Sequence, residues 1–382
     1  MTKTILLFTE SHSFCGVGQF IAALLSSWCD AGYRTVCAQR FEETPLQERL
    51  KKAGVAYHWF DYNPESDILR FANDQEMALR IFTAVQPDLI YFVNGSPLAS
   101  FGGISAAQSL SIPYVILEEL VSPANFPTDQ SELNAVRHNY KTAQAVICVS
   151  HQNLNVMKTL FDFPDGFGRV IPNTATSEFF RPTDPIRRQK LRTEWGVPEK
   201  GILCFTAAKL EPVKGHEVQL DAMEHLKSTS AWDQVRFAWA GQGRLFDKLS
   251  TRIANSDTSR HVTLLGHVWN MAELLDAADM FILTSHAEGM PLTILEAMAK
   301  SLPIIATDVG GNTEALSGCG KIIDPPNDTS PLDLAHAIEA WVYDINARKQ
   351  AGAAGHARAV KYFSETSVLP QHVSVIENIV GA

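Results

Sequence analysis

Short β-branched runs alternate with amphipathic stretches of roughly 10–15 residues along the whole chain, and this rhythm leaves few folds open. In the first half the strand-like runs are Ile5–Thr9, Arg34–Ala38, Val55–Phe60, Asp88–Val93, Tyr114–Leu117 and Ala145–Val149. Helical patterns lie between them at Val17–Ala31, Pro45–Ala53, Gln75–Val85 and Glu132–Thr142. The second half repeats the rhythm with Ile202–Ala207, Val235–Ala240, Val262–Leu265, Met280–Thr284, Pro303–Thr307 and Lys321–Ile323. Strand–helix–strand alternation predicts parallel sheets covered by helices on both faces, and two such sets predict an α/β chain of two doubly wound domains. At 382 residues the chain is also too long for one ordinary core. The stretch Asn173–Pro198, with Pro182, Pro185 and Pro198 and few strand signals, reads as the linker. The domains are thus expected at 1–175 and 176–364, with a final helix, about 365–382, that can pack back on the first. Ligands of open sheets gather outside the carboxyl ends of the strands, so two sheets facing across a cleft would hold the chemistry there.

Composition removes several classes. Hydrophobic residues make up 46% and charged residues 19%, as in an ordinary globular protein. The longest apolar runs, Ile202–Ala208 and Met280–Thr284, are far shorter than the ~20 residues of a membrane-spanning helix. The opening MTKTILLFTESHS turns polar after Phe8 and reads as a first strand, not as a signal peptide. The six cysteines are scattered and never form Cys-x-x-Cys, which predicts a reduced, cytoplasmic protein without structural zinc. The net charge of −10 is spread over both halves with no basic stripe, so nucleic acid is not an expected partner.

Four segments carry chemistry-bearing residues. After the run Met280–Thr284 the chain reads Ser285-His286-Ala287-Glu288-Gly289-Met290-Pro291-Leu292, with Glu296 eight positions beyond Glu288. Proline suits a helix start, glycine permits close backbone approach, and the helix N-terminus favours an anion such as phosphate. The two carboxylates suit a polyol, since each accepts charge-assisted hydrogen bonds from hydroxyls. A second turn, Ala207–His216, carries Lys209 and Lys214 just before a helix, a pair that fits a diphosphate if the lysines are not merely solvated. Gly16 and Gly18 follow the first strand, but Gly-x-Gly without a third glycine is a weak phosphate signal, and Gly241-Gln242-Gly243 is equally incomplete. No acidic residue ends a strand about twenty positions on, which argues against a dinucleotide cofactor. Last, Asp308-Val309-Gly310-Gly311-Asn312-Thr313-Glu314 places a tight turn on the same rim, with Glu314 either a ligand or a first-turn glutamate.

Together these segments resemble the retaining glycosyltransferases of family 4, which have the GT-B fold. The resemblance rests on Glu288-(seven residues)-Glu296 with its Glu-Gly-x-Pro start, on Gly310–Glu314, and on Lys209-Leu210 with Lys214-Gly215. It extends to Ile171-Pro172-Asn173, Gly266-His267-Val268 and Glu273-Leu274-Leu275-x-Ala277-Ala278-Asp279. It implies that Glu296 binds the donor ribose, that Glu288 holds hydroxyls of the transferred sugar, and that Lys209 and Lys214 neutralise the diphosphate. It further implies that Gly266, His267 and Val268 border the base, that Gly289, Met290, Pro291 and Leu292 line the donor, and that Gly16 and Gly18 cover the phosphates. The nucleotide sugar is then a substrate, and no cofactor or metal is required.

Three departures bear on this reading. Lys209 stands where the family usually has arginine, and lysine lacks the bidentate fork. Cys15-Gly16 replaces a glycine pair. Where many members carry a histidine after the strand at Tyr114, this chain offers Glu118 and Glu119, with His12 and His151 at other strand–helix junctions as substitutes. The expected reaction is transfer of a UDP- or GDP-linked hexose, with retention, to a hydroxylated acceptor such as a glycan, a lipid-linked saccharide or a small molecule. A nucleotide-sugar epimerase and a non-catalytic nucleotide-sugar-binding protein are the alternatives. Peripheral contact with the inner membrane face stays open.

Overall fold

The structure, a computed structural model, describes residues 2–10, 16–40, 45–60, 74–123, 129–326 and 330–381. The chain divides into two compact units, Met1–Thr174 with Glu365–Ala382, and Ala175–Ser364. The first holds β1 (Thr4–Thr9), β2 (Arg34–Arg40), β3 (Ala56–Phe60), β4 (Leu89–Asn94), β5 (Tyr114–Glu118), β6 (Ala145–Cys148) and β7 (Arg169–Val170), in the order β3-β2-β1-β4-β5-β6-β7. The second holds β8 (Ile202–Ala207), β9 (Val235–Ala240), β10 (Val262–Gly266), β11 (Met280–Leu283), β12 (Ile304–Thr307) and β13 (Lys321–Ile323), in the order β10-β9-β8-β11-β12-β13. Every pairing is parallel, from Ile5 against Leu89 in the first unit to Phe281 against Phe205 in the second. Both orders reverse direction beside the first strand of their unit, at β1/β4 and β8/β11. These are the doubly wound units that the alternating runs predict, each with a switch point where loops diverge and leave room for a ligand.

The central strands explain their own composition. β1, β4, β5, β8 and β11 are buried along their whole length, so they are near-continuous apolar runs and not alternating ones. Helices close both faces; Phe20, Leu24 and Trp28 of helix Gly16–Asp30 are fully buried, as are Leu220, Met223 and Leu226 of helix His216–Leu226. The last helix, Glu365–Val380, belongs to the first unit and buries Val368, Val375 and Ile376 there. Its His372 lies fully buried with Nδ1 2.6 Å from the Tyr91 hydroxyl, and burial lowers its pKa to about 3, so the ring stays neutral.

The segment expected to be a linker is largely ordered structure. Pro185 opens a helix, Pro185–Glu194, whose first N–H groups at Ile186 and Arg187 are accepted by the Asp184 carboxylate. Three arginines on this helix fasten it to the turn before β11. Arg187 reaches Asp276 at 3.1 Å, while Arg188 and Arg192 each reach Asp279 at 2.5 Å. Lys300 completes the network at 2.8 Å from Asp276, with both side chains almost fully buried. Proline marked a helix start here and not a break. Among the described residues, no helix is long and apolar enough to cross a membrane.

Candidate functional site

The carboxyl edge of the second sheet is a rim of loops tied to one another by hydrogen bonds. The turn after β8 is held from one side by the turn after β9, where the Leu210 N–H donates to the Gln242 carbonyl at 3.0 Å. It is held from the other side by the turn after β11, where the His286 N–H donates to the Val213 carbonyl at 2.7 Å and the Thr284 hydroxyl to the Gly215 carbonyl at 2.9 Å. That turn is bound in its own right to the one after β12. The Gly311 N–H donates to the Gly289 carbonyl at 2.6 Å, and the Thr307 hydroxyl to the Ser285 carbonyl at 2.7 Å.

Two glycines make this closeness sterically feasible. Gly215 has φ +64°, and a Cβ there would stand 1.9 Å from the Thr284 carbonyl oxygen. Gly310 has φ +55°, and its Cβ would stand 1.8 Å from the Glu288 carbonyl oxygen. No side chain fits either place, and an L-residue would be strained at either φ.

Glu288 stands on this rim, 8% exposed. Lys214 Nζ and Ser285 Oγ both donate to its Oε1, each at 2.6 Å. The sequence assigned Lys214 and Glu288 to different parts of a ligand; they also meet each other. Lys209 lies exposed earlier on the same turn. Gly289, Met290, Pro291 and Leu292 are all buried in the loop that leads into helix Leu292–Ala299. Pro291 is the residue that caps this helix and not its first turn, because the chain is still extended there at ψ 120°.

Glu296 projects from the middle of that helix, 6% exposed, and among the described residues no group donates a hydrogen bond to its carboxyl. Burial, and then the nearby charge of Glu178, raise its pKa to about 8. A buried carboxyl without a protein donor is costly unless a ligand supplies one. His267 and Trp269 are exposed on the turn after β10, edge to face at 4.6 Å, with Gly266 and Val268 half-buried beside them. His216, directly under the Lys214 turn, is buried against Trp239 at 5.0 Å, and burial lowers its pKa to about 4.

The first unit carries a different set. Glu118 ends β5 fully buried, and its Oε1 accepts from Asn94 Nδ2 at 3.1 Å and from the Tyr140 hydroxyl at 2.9 Å. Glu119, half-buried, accepts from Asn173 Nδ2 at 2.9 Å. Glu10, following β1, is the third member, held by the N–H groups of Gly95 and Ser100. Burial raises all three, Glu118 to about 8 and the other two to about 7. Sequence reasoning gave no role to Glu10 or Ser285; Glu10 directly follows β1 and Ser285 stands two residues after β11, both at carboxyl ends of buried strands, which was the available signal. Gly16 and Gly18 open helix Gly16–Asp30, and His151 is the exposed first residue of helix His151–Phe161. His12 and Cys15 lie outside the described residues.

The raised carboxyls give a pH dependence whose sign is fixed. Between about pH 4.5 and 8 the folded chain holds protons on these groups that the unfolded chain has released. Their contribution is therefore fully present below pH 4.5 and is lost as pH rises through 7 to 8. Glu118→Gln is expected to flatten that loss by about 1–3 kcal/mol, read by urea denaturation at pH 5 and pH 8. Equal losses in both proteins would contradict a buried, protonated Glu118.

Comparison with known proteins bears on both units. The family model of glycosyl transferases group 1 matches residues 187–358, and that of glycosyltransferase family 4 matches residues 14–178. A Bacillus subtilis protein assigned as the glycosyltransferase EpsD is 28% identical over 202 residues, covering 53% of this chain and 52% of that one. The mannosylfructose-phosphate synthase of Agrobacterium fabrum is 24% identical over 329 residues, covering 78% of this chain and 72% of the relative. The chain thus spans about half the length of the first relative. Among solved structures, Anabaena HepE in complex with UDP-glucose superposes with a TM-score of 0.82 at 21% identity, covering 98% of this chain and 99% of that one.

Proposed function

Since the two family models between them take in nearly the whole chain, it belongs to glycosyltransferase family 4, with the two Rossmann-like domains of the GT-B architecture, and from this we propose that it transfers a hexose from a UDP- or GDP-linked donor to a hydroxylated acceptor with retention of configuration. The observation that carries the reading is Glu296. It is a buried carboxyl with its pKa raised to about 8 and no protein donor among the described residues, standing eight positions after Glu288 on the helix that the Glu288 loop enters. Ribose hydroxyls would give it the hydrogen bonds it lacks.

In this reading the donor lies along the rim of the second unit. Glu288 accepts from hydroxyls of the sugar, while Lys209 and Lys214 face the diphosphate. Gly266, His267 and Val268 border the base. As the glycosidic bond breaks, negative charge grows on the leaving phosphate, and preorganised ammonium groups stabilise it more than they stabilise the ground state. No metal or other cofactor is needed for that. Acceptor recognition falls to the first unit, where Glu119 is the half-buried carboxyl and Glu118 lies behind it, with His151 at the neighbouring helix start. A UDP-glucose complex of a structural neighbour at 21% identity makes UDP-glucose the first donor to try. The acceptor, a glycan, lipid-linked saccharide or small molecule, is expected on the cytoplasmic side.

Thermal shift against UDP-, GDP- and ADP-sugars tests the donor, since a ligand at 100 times its Kd stabilises by about 2.7 kcal/mol. Donor-only incubation followed by NMR separates transfer from epimerisation: an epimerised sugar without acceptor would sink the transferase reading. Lys214→Ala is expected to lower kcat by about 10²–10³, with a smaller loss of donor affinity. A loss of donor affinity with kcat unchanged would mean that Lys214 binds ground and transition states alike.

A further inference from the structure

Glu288 has two protein donors, and both reach the same oxygen. Lys214 Nζ and Ser285 Oγ each lie 2.6 Å from Oε1, and among the described residues no donor reaches Oε2. The two donors are not equivalent. An ammonium is a compact point charge that is satisfied by either carboxylate oxygen and follows the carboxylate if it turns. A serine hydroxyl on a fixed backbone is directional and specifies one oxygen and one plane.

Ser285 is itself held. It is fully buried, and its carbonyl accepts from Thr307 while the next N–H, of His286, donates to Val213. The hydroxyl therefore projects from a backbone anchored to the loops on either side of it. We infer that Ser285 is a positioning residue that pins Oε1 of Glu288 and so presents Oε2 to one particular hydroxyl of the transferred sugar, which makes it a determinant of hexose choice. This rests on the nucleotide-sugar reading of the site.

A merely structural Ser285 would affect every ligand alike, so the test compares ligands. Calorimetry is run on wild type, Ser285→Ala and Ser285→Thr. The ligands are whichever of UDP-glucose and GDP-mannose the wild type binds, its bare nucleoside diphosphate, and analogues of that donor lacking one sugar hydroxyl each. Ser285→Ala is expected to weaken the full donor about 10-fold, as loss of one hydrogen bond to a charged group would. It is expected to leave the bare nucleotide within about twofold, because the nucleotide does not touch Oε2. For one deoxy analogue the wild type should already be weakened and Ser285→Ala should add nothing. Ser285→Thr, which keeps the hydroxyl, is expected to restore full-donor affinity to within about threefold. If Ser285→Ala fails to fold, Ser285→Cys keeps the packing while donating weakly and reads the same ratios.

A uniform loss across nucleotide, donor and every analogue would overturn the inference, as would an unchanged affinity for the full donor. Failure of the wild type to bind any UDP- or GDP-linked hexose of the thermal-shift panel would overturn the parent reading and this inference with it.

Discussion

Asp276→Ala is expected to destabilise the second unit by about 3–5 kcal/mol, the cost of leaving a buried charge without its partner. Asp276 is 1% exposed, Lys300 is 5% exposed, and they are 2.8 Å apart. The same carboxylate accepts from Arg187 at 3.1 Å and from the Asp184 N–H at 3.2 Å. With it gone, Arg187 is exposed enough to turn to water, but among the described residues the Lys300 ammonium keeps only the Arg181 carbonyl at 3.3 Å. Asp276→Leu with Lys300→Met, which removes both charges, is expected to cost much less than the single change. Urea denaturation reads both. A loss below about 1 kcal/mol for Asp276→Ala would mean that Lys300 escapes to solvent. For a unit of this size each kcal/mol corresponds to roughly 2–4 °C of Tm, so a scan would show the change plainly.

Glu296→Ala is expected to weaken nucleotide-sugar binding by about 10²–10³, the equivalent of two hydrogen bonds to a charged group. The fold is expected to survive. Glu296 gives up no described protein partner, and its carboxyl is already disfavoured by burial and by Glu178. Glu296→Gln makes the point sharper. Because the folded pKa is raised from 4.5 to about 8, the wild-type group loses stability as pH climbs through that window and the loss is complete above about 8; the amide removes that cost while losing the charge a ribose would use. Loss of donor binding with stability unchanged or improved identifies a ligand group. Unchanged affinity by calorimetry would remove Glu296 from the site and take the donor assignment with it.

Much of this arrangement was legible in the chain. Buried parallel strands are continuous apolar runs, so β8, with every residue buried, declares itself at Ile202–Ala207. The glutamate pair and the glycine turns were visible for a related reason, since each turn needs a residue type that little else can replace. Helix Pro185–Glu194 was not read, because three prolines suggested a break while the decisive partners of its arginines, Asp276 and Asp279, lie about 90 positions away. Contacts at such separation leave no local pattern. The same limit hid the convergence of Lys214 and Ser285 on Glu288, 74 and 3 positions apart in sequence. The carboxyls of the first unit were partly seen. Glu118 and Glu119 were singled out because they stand where many members of the resembled family carry a histidine, whereas Glu10 joins them only through the β1-β4-β5 order of the sheet.

The stitched rim has a consequence for how this protein could be altered. The turns after β9, β8, β11 and β12 are joined in series by backbone hydrogen bonds, so none of them can be exchanged as an independent cassette. A loop transplanted from a relative with another sugar preference would bring its own backbone path and break the bonds to the loops on either side. In the proposed reading of the rim as the donor site, a change of donor is therefore more accessible by replacing side chains on an unchanged backbone, or by exchanging the whole edge at once. Amide exchange would reveal the same coupling, with the linked N–H groups of Leu210, His286 and Gly311 opening together.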